Sequence, residues 1–143
     1  MTRQEILRIL DANFNRSREG LRVCEEITRF VMANEVLTRE LKKTRHAVSD
    51  CLKNFCPPFE KLAQARNVRS DVGSGPSALE NKKKDARGIF LANIQRSKES
   101  LRVLEELSKL VDVKASVRLK KIRFKVYAIE AKVVSRLEAV RHR

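Results

Sequence analysis

Two phrases of this sequence place the same polar pair on what should be an apolar helix face: Asn13 and Arg16 in LDANFNRSREGLRV, and Asn93 and Arg96 in FLANIQRSKESLRV. An amide orients a ligand with donors and an acceptor, and a guanidinium fork grips phosphate or carboxylate through two parallel bonds. Arg45 and Arg123 recur in LKKTRHAV and LKKIRFKV and also lean onto the apolar stripe. Glu130 falls near the middle of the last helix's apolar face, the one clear acid that does. Burying a guanidinium without a partner costs several kcal/mol. These groups therefore either pair with Glu19, Glu99 or Glu130 and fix helix register, or they face a ligand. The excess of inward positive charge predicts a pocket for phosphate or carboxylate.

A second constellation lies in ARNVRSDVGSGPS, where Arg66, Arg69 and Asp71 stand beside Gly73. No Lys-Ser or Lys-Thr follows the glycines, so this is not a Walker loop. Its backbone N–H groups can still cradle an anion, and one carboxylate with phosphate oxygens is a common way to hold Mg²⁺. A plain solvated turn is the alternative. Glu25, Glu26, Glu105 and Glu106 read differently. They project mostly off the stripe, where Arg22–Glu26 and Arg102–Glu106 form helical i,i+4 pairs, so surface support is expected, with metal ligation at a bundle edge as the alternative. Cys24 reads as core filler and His46 as exposed.

Helices must position these groups. Leu, Val, Ala, Glu, Lys and Arg dominate, whereas glycine, proline and aromatics are scarce. Thr2-Arg3-Gln4-Glu5 is a capping box opening a first helix to about Ala33, with Asn34 as a left-handed stop. A second helix spans roughly 35–55 and ends at Pro57-Pro58, with a short one over 59–66. Ser77-Ala78-Leu79-Glu80 is another capping box, opening a helix to about Val111, and a last helix covers roughly 114–141. Residues 9–31 align on 89–111 at an offset of 80 with twelve identities in 23 positions. Beyond the turn the offset becomes 78, where 41–48 falls on 119–126. The chain thus reads as one all-α domain, 1–143: a duplicated helical hairpin (1–56 and 79–143) joined by residues 57–78. Neither hairpin buries its stripe alone, so the two are expected to pack as a four-helix bundle with approximate internal twofold symmetry.

Composition narrows the function. The 143 residues carry a formal charge of +14, with ten Lys/Arg against two Glu in residues 114–143. An anionic partner follows, nucleic acid being the generic inference and a phosphorylated small molecule the narrower one. No apolar run approaches the length of a membrane span, and no signal peptide is evident. Three cysteines and two histidines form no zinc pattern, which suits a reduced cytoplasmic protein.

LDANFNRSREGLRVCEEITRF, LKKTRH, ARNVRSDVGS, ANIQRSKESLRVLEEL and RFKVYAIE, in this order, resemble a small all-helical family of thiamin biosynthesis. Its members occur alone or fused ahead of thiamin-phosphate synthase, and this chain resembles the standalone form. The resemblance implies a hydroxymethylpyrimidine phosphate kinase that makes the diphosphate from the monophosphate and rejects the free alcohol. It implies ATP and Mg²⁺ as donor and cofactor, small phosphates as partners, and no membrane partner; a homodimer is compatible with it. The family pattern covers Asp11, Asn13, Asn15, Arg16, Arg18, Glu19, Gly20, Arg22, Glu25, Glu26, Arg45, His46, Arg66, Asp71, Gly73, Asn93, Arg96, Glu99, Arg102, Glu105, Glu106, Arg123, Tyr127 and Glu130. Two departures stand out. Asn67 replaces an acid often found after the loop arginine, and Gln95 and Ser100 replace the first copy's Asn and Gly.

Chemistry then assigns expected roles. Arg16, Arg96 and Asp71 are the catalytic candidates. Arg45, Arg123, Arg66 and Gly73 are candidates for phosphate binding, with Asn13 and Asn93 orienting substrate. Asp71 and Glu130 are the candidate Mg²⁺ ligands. A mutase-like helical enzyme binding a dianion accounts for the pocket but not for the ordered motifs. A basic nucleic-acid-binding bundle accounts for the charge but not for Asn and Arg recurring on the inner face.

Overall fold

The computed structural model describes residues 1–73 and 85–141, with the side chains of the last three of these left aside. Every regular element among them is helical: α1 (Arg3–Glu26), continued by a π-helical turn (Ile27–Val31), then α2 (Glu35–Lys53), α3 (Phe59–Gln64), α4 (Ala86–Ser108) and α5 (Val113–Arg141). Thr2 caps α1 as its capping box predicts, accepting from the Glu5 N–H.

One helix stop and one helix start differ from expectation. The left-handed residue at the end of the first helix is Ala33 (φ 50°), not Asn34. Asn34 is extended and serves α2 instead, its Oδ1 accepting from the Leu37 N–H at 2.9 Å. The capping box at 77–80 lies outside the described residues. The third long helix starts at Ala86, where extended Asp85 accepts from the Gly88 N–H at 2.7 Å. A short polar side chain that bonds its own backbone takes the cap wherever the chain turns, and local patterning alone ranks two such candidates poorly.

The helices surround one core. α1 packs against α4 and α2, and α5 packs against α4 and α2, so each long helix has two long neighbours. Leu10, Phe14, Leu21, Cys24, Leu41 and Val48 are fully buried, as are Phe90, Ile94, Leu101, Leu104, Leu119 and Val126 at the repeat-related positions. α3 folds under α1 through Leu62, while Phe55 stands edge-on to Phe14 with ring centroids 5.4 Å apart. Burial pushes the Cys51 thiol up to about 11 and raises Cys24 further, so both are inert fillers at neutral pH.

Among the described residues α1 packs most extensively on α4, and four small residues sit where the two helices cross. Ser97 Oγ donates to Ser17 O at 3.1 Å and Cys24 Sγ lies 3.6 Å from Phe90 O, so the helices run antiparallel. Ser17, Gly20, Ser97 and Ser100 are all buried at this crossing. A β-carbon at Gly20 would meet Ser97 Oγ and lie 2.7 Å from Asn93 O, a backbone atom that cannot swing away. Gly20→Ala is therefore expected to force the helices apart and cost about 1–3 kcal/mol despite its gain in helix propensity. Chemical denaturation measures this, and a neutral or stabilised variant would show that the crossing yields freely.

Candidate functional site

Among the described residues a concavity of about 850 Å³ lies between the outer side of α1 and the segment after α3. Its wall on α1 includes Arg8, Asp11, Asn13, Asn15, Arg16 and Glu19; its other wall is Arg66, Asn67, Val68 and Asp71. The two walls are joined by one strong pair. Arg66 grips Asp11 bidentately, Nε to Oδ2 and Nη2 to Oδ1, both at 2.8 Å. Asp11 is buried, and its bonds and charge hold the Arg66 guanidinium above its ordinary pKa. Arg8 Nη2 adds a 3.5 Å contact to Asn67 O. Sequence reasoning marked Asp11 only through resemblance. Nothing local singled it out, because Arg8 stands three residues before it at the spacing of an ordinary helical pair.

Asn13 is buried and turns its amide inward along α1, Nδ2 donating to Ile9 O at 2.8 Å. That bond fixes the flip and leaves Oδ1 as the acceptor of the cleft wall. Asn93 repeats the bond to Ile89 O at the same 2.8 Å. Arg16 is exposed on the cleft and makes no ion pair among the described residues. Arg96 is also exposed, and neither it nor Asn93 lines this cleft. The expected meeting of both Asn/Arg pairs in one cleft therefore does not occur among the described residues. The reason is the crossing: Ser17 and Ser97, not their arginine neighbours, occupy the centre of the buried face. Antiparallel packing then carries Asn13 and Asn93 to opposite sides of it.

Arg45 and Arg123 point inward as expected, and each meets a glutamate that pattern reading had placed at the surface. Glu25 is 3% exposed and accepts from Arg45 Nε at 3.0 Å. Glu105 is 5% exposed and accepts from Arg123 Nη2 at 3.4 and 3.5 Å. The expected helical pairs coexist with these, Arg22–Glu26 and Arg102–Glu106 both at 3.2 Å. Arg45 and Arg123 are thus held by Glu25 and Glu105 rather than by the carboxylates first considered, Glu19, Glu99 and Glu130.

The proposed metal ligands are not brought together. Glu130 sits on α5, where its Oε1 takes the Lys98 ammonium at 2.8 Å, with Lys98 also lying over the Tyr127 ring. Asp71 lines the α1 cleft, and its Oδ1 accepts from the Gly73 N–H at 2.9 Å, so that N–H serves an Asx turn. Among the described residues no group of three or more His, Cys, Asp or Glu is placed to hold a metal ion. The described residues thus offer no protein-built cage. The cleft does fit a metal that arrives on phosphates: its lining has four carboxylates (Glu5, Asp11, Glu19, Asp71) against three guanidiniums (Arg8, Arg16, Arg66). Such a lining repels a naked polyphosphate and suits one carrying a divalent cation.

No described helix is long and apolar enough to cross a membrane. No solved protein structure matches the chain. Among curated proteins it is 41% identical over 139 residues to the thiamine-phosphate synthase of Synechocystis, covering 93% of this chain and 39% of that one. It is 37% identical to that of Rhodopirellula baltica (86% and 32%) and 38% identical to that of Thermosynechococcus vestitus (89% and 35%). The chain spans 32–39% of the length of these relatives. The sequence pattern of the ThiD2 family matches residues 8–132, the span that holds both Asn/Arg copies, the Asp11–Arg66 tie and Asp71. The chain belongs to the ThiD2 family.

Proposed function

We propose that this protein is a Mg²⁺- and ATP-dependent kinase that converts hydroxymethylpyrimidine monophosphate to the diphosphate in thiamin biosynthesis. The family and the thiamine-phosphate synthase relatives support the pathway. The observation that carries the chemistry is the cleft in which Arg16 is exposed and unpaired among the described residues beside the fixed acceptor of Asn13. Both substrates are phosphates, so no strong base is required and the work is positioning and charge neutralisation.

Arg16 binds the transferring or accepting phosphate. Asn13 Oδ1 accepts from the pyrimidine's amino group or a ligand hydroxyl. Arg66, braced by Asp11, offers its remaining N–H groups at the mouth, and Asp71 faces the metal–phosphate complex. Asp71 is the residue that would help hold a phosphate-borne Mg²⁺, which would supply neutralisation of phosphate charge there. Among the described residues Arg96 and Asn93 do not line this cleft, so the reading gives the chemistry to the first copy. Rejection of the free alcohol follows because, without the substrate phosphate, Arg16 would be desolvated and unpaired.

A coupled assay of the purified chain with ATP, Mg²⁺ and the pyrimidine monophosphate tests this. Diphosphate should form from the monophosphate and not from the free alcohol; turnover of neither would refute the reading. Asp71→Asn is expected to lower the rate and shift the Mg²⁺ dependence to higher concentration. An unchanged Mg²⁺ curve would remove Asp71 from the site.

A further inference from the structure

The two halves of the sequence differ by one insertion, and it falls where a second concavity opens. Asn34 caps α2 and Asp112 caps α5, each through a side-chain oxygen that accepts from the N–H three residues on. These caps correspond at the 78-residue offset, while Thr28 and Ser108 still correspond at 80. The first copy therefore carries two additional residues in its α1–α2 turn.

The second hairpin closes tightly, with Lys109, Leu110 and Val111 N–H groups each bonding three residues back. The first accommodates its extra length by widening to the π-helical turn over Ile27–Val31 and by setting Ala33 at positive φ. A widened helical turn and a left-handed alanine are both unfavourable locally, and such features gather where a site has been shaped. Here they border a concavity of about 700 Å³.

Its charge is opposite in character to that of the α1 cleft. Arg22, Arg29, Arg39 and Lys42 line it against only Glu25 and Glu35. Glu25 is already engaged by Arg45 below and Arg22 beside it, and Glu35 by Arg39 at 2.7 Å. Arg29 and Lys42 are exposed. Two carboxylates against four cations leave a net double positive charge, which matches a phosphate dianion with no metal to assist it.

We infer that the α1–α2 turn holds a second anion site, specific to the first copy, that binds a diphosphate or polyphosphate group without a divalent cation. It lies beyond the reaction cleft proposed above, and it does not depend on the kinase reading. The nucleotide donor's polyphosphate tail and a free diphosphate ester both present this chemistry.

Calorimetric titration of pyrophosphate in chelator-containing buffer tests it, since the acid-rich α1 cleft should hold little pyrophosphate without metal. The wild-type chain is expected to bind, and Arg29→Gln combined with Lys42→Gln to weaken binding about tenfold or more. Arg16→Ala should leave it intact. Amide resonances of Ala33 and Asn34 in the unmutated protein should shift on titration, a readout that owes nothing to variant folding. Absence of metal-free binding, loss through Arg16→Ala alone, or silent amides at the turn would each overturn the site. A non-hydrolysable nucleoside triphosphate in place of pyrophosphate then separates the sources: tighter binding assigns the site to nucleotide, weaker binding to a diphosphate ester, and both uphold it.

Discussion

Arg16→Ala is expected to reduce phosphoryl transfer by a factor of about 10²–10³ while leaving the fold unchanged. Its side chain is exposed on the cleft and pairs with no acid among the described residues, so removal leaves no charge stranded. The loss should fall mainly on kcat, because a guanidinium that neutralises developing charge is felt most in the transition state. Arg16→Lys should recover little, since an ammonium lacks the planar fork. Steady-state kinetics with the pyrimidine monophosphate, alongside thermal melts, decide the matter. Full activity in Arg16→Ala would remove the residue from the site, and a lowered melting temperature would show that it supports structure instead.

Glu105→Ala should have the largest effect on stability. It strips the partner from Arg123, which is only 8% exposed and whose Nε already lacks a partner. Leaving a buried guanidinium uncompensated costs about 3–5 kcal/mol. For a chain of this size that lowers the melting temperature by roughly 10–20 °C. Pairing the change with Arg123→Met should restore much of the loss, because the cost comes from the stranded charge more than from the lost bond. Glu25→Ala should cost less, since Arg45 is 19% exposed at its side chain and can reach water. A Glu105→Ala variant that melts like the wild type would mean that Arg123 escapes to solvent, and the burial argument for the whole cluster would fail.

The glutamates also show how far sequence reaches here. Helix number, order and most boundaries are legible because capping residues and a 3.6-residue apolar period are local signals. The Arg22–Glu26 and Arg102–Glu106 pairs are local too, and they form. Glu25 and Glu105 stand next to them and look equally superficial, yet they are buried because Arg45 and Arg123, eighteen to twenty residues on, supply the charge that permits it. Arg16 and Arg96 went the other way. The apolar period centres the face on Asn13, which is buried, and sets Arg16 within about one residue's turn of it. Serine carries little apolar weight, so Ser17 and Ser97 went unmarked although they are the fully buried neighbours. The cleft itself was half legible. Asn13, Arg16, Arg66 and Asp71 were candidates, whereas the tie that brings them together, Asp11 to Arg66, spans 55 residues and leaves no local trace.

The antiparallel α1–α4 crossing has a consequence for how the chain is made. α1 packs more extensively on α4 than on its sequence neighbour α2, and the Ser17–Ser97 bond spans 80 residues. A nascent chain emerging at about 5–20 residues per second must wait roughly 4–16 s before α4 can cover the face bearing Leu10, Phe14 and Leu21. For that interval the first hairpin carries an open apolar stripe, and the contacts that close it join residues far apart in sequence. Folding should therefore be slower than for a bundle of sequential neighbours, with the nascent first half the stage at which a chaperone or a second chain can intervene.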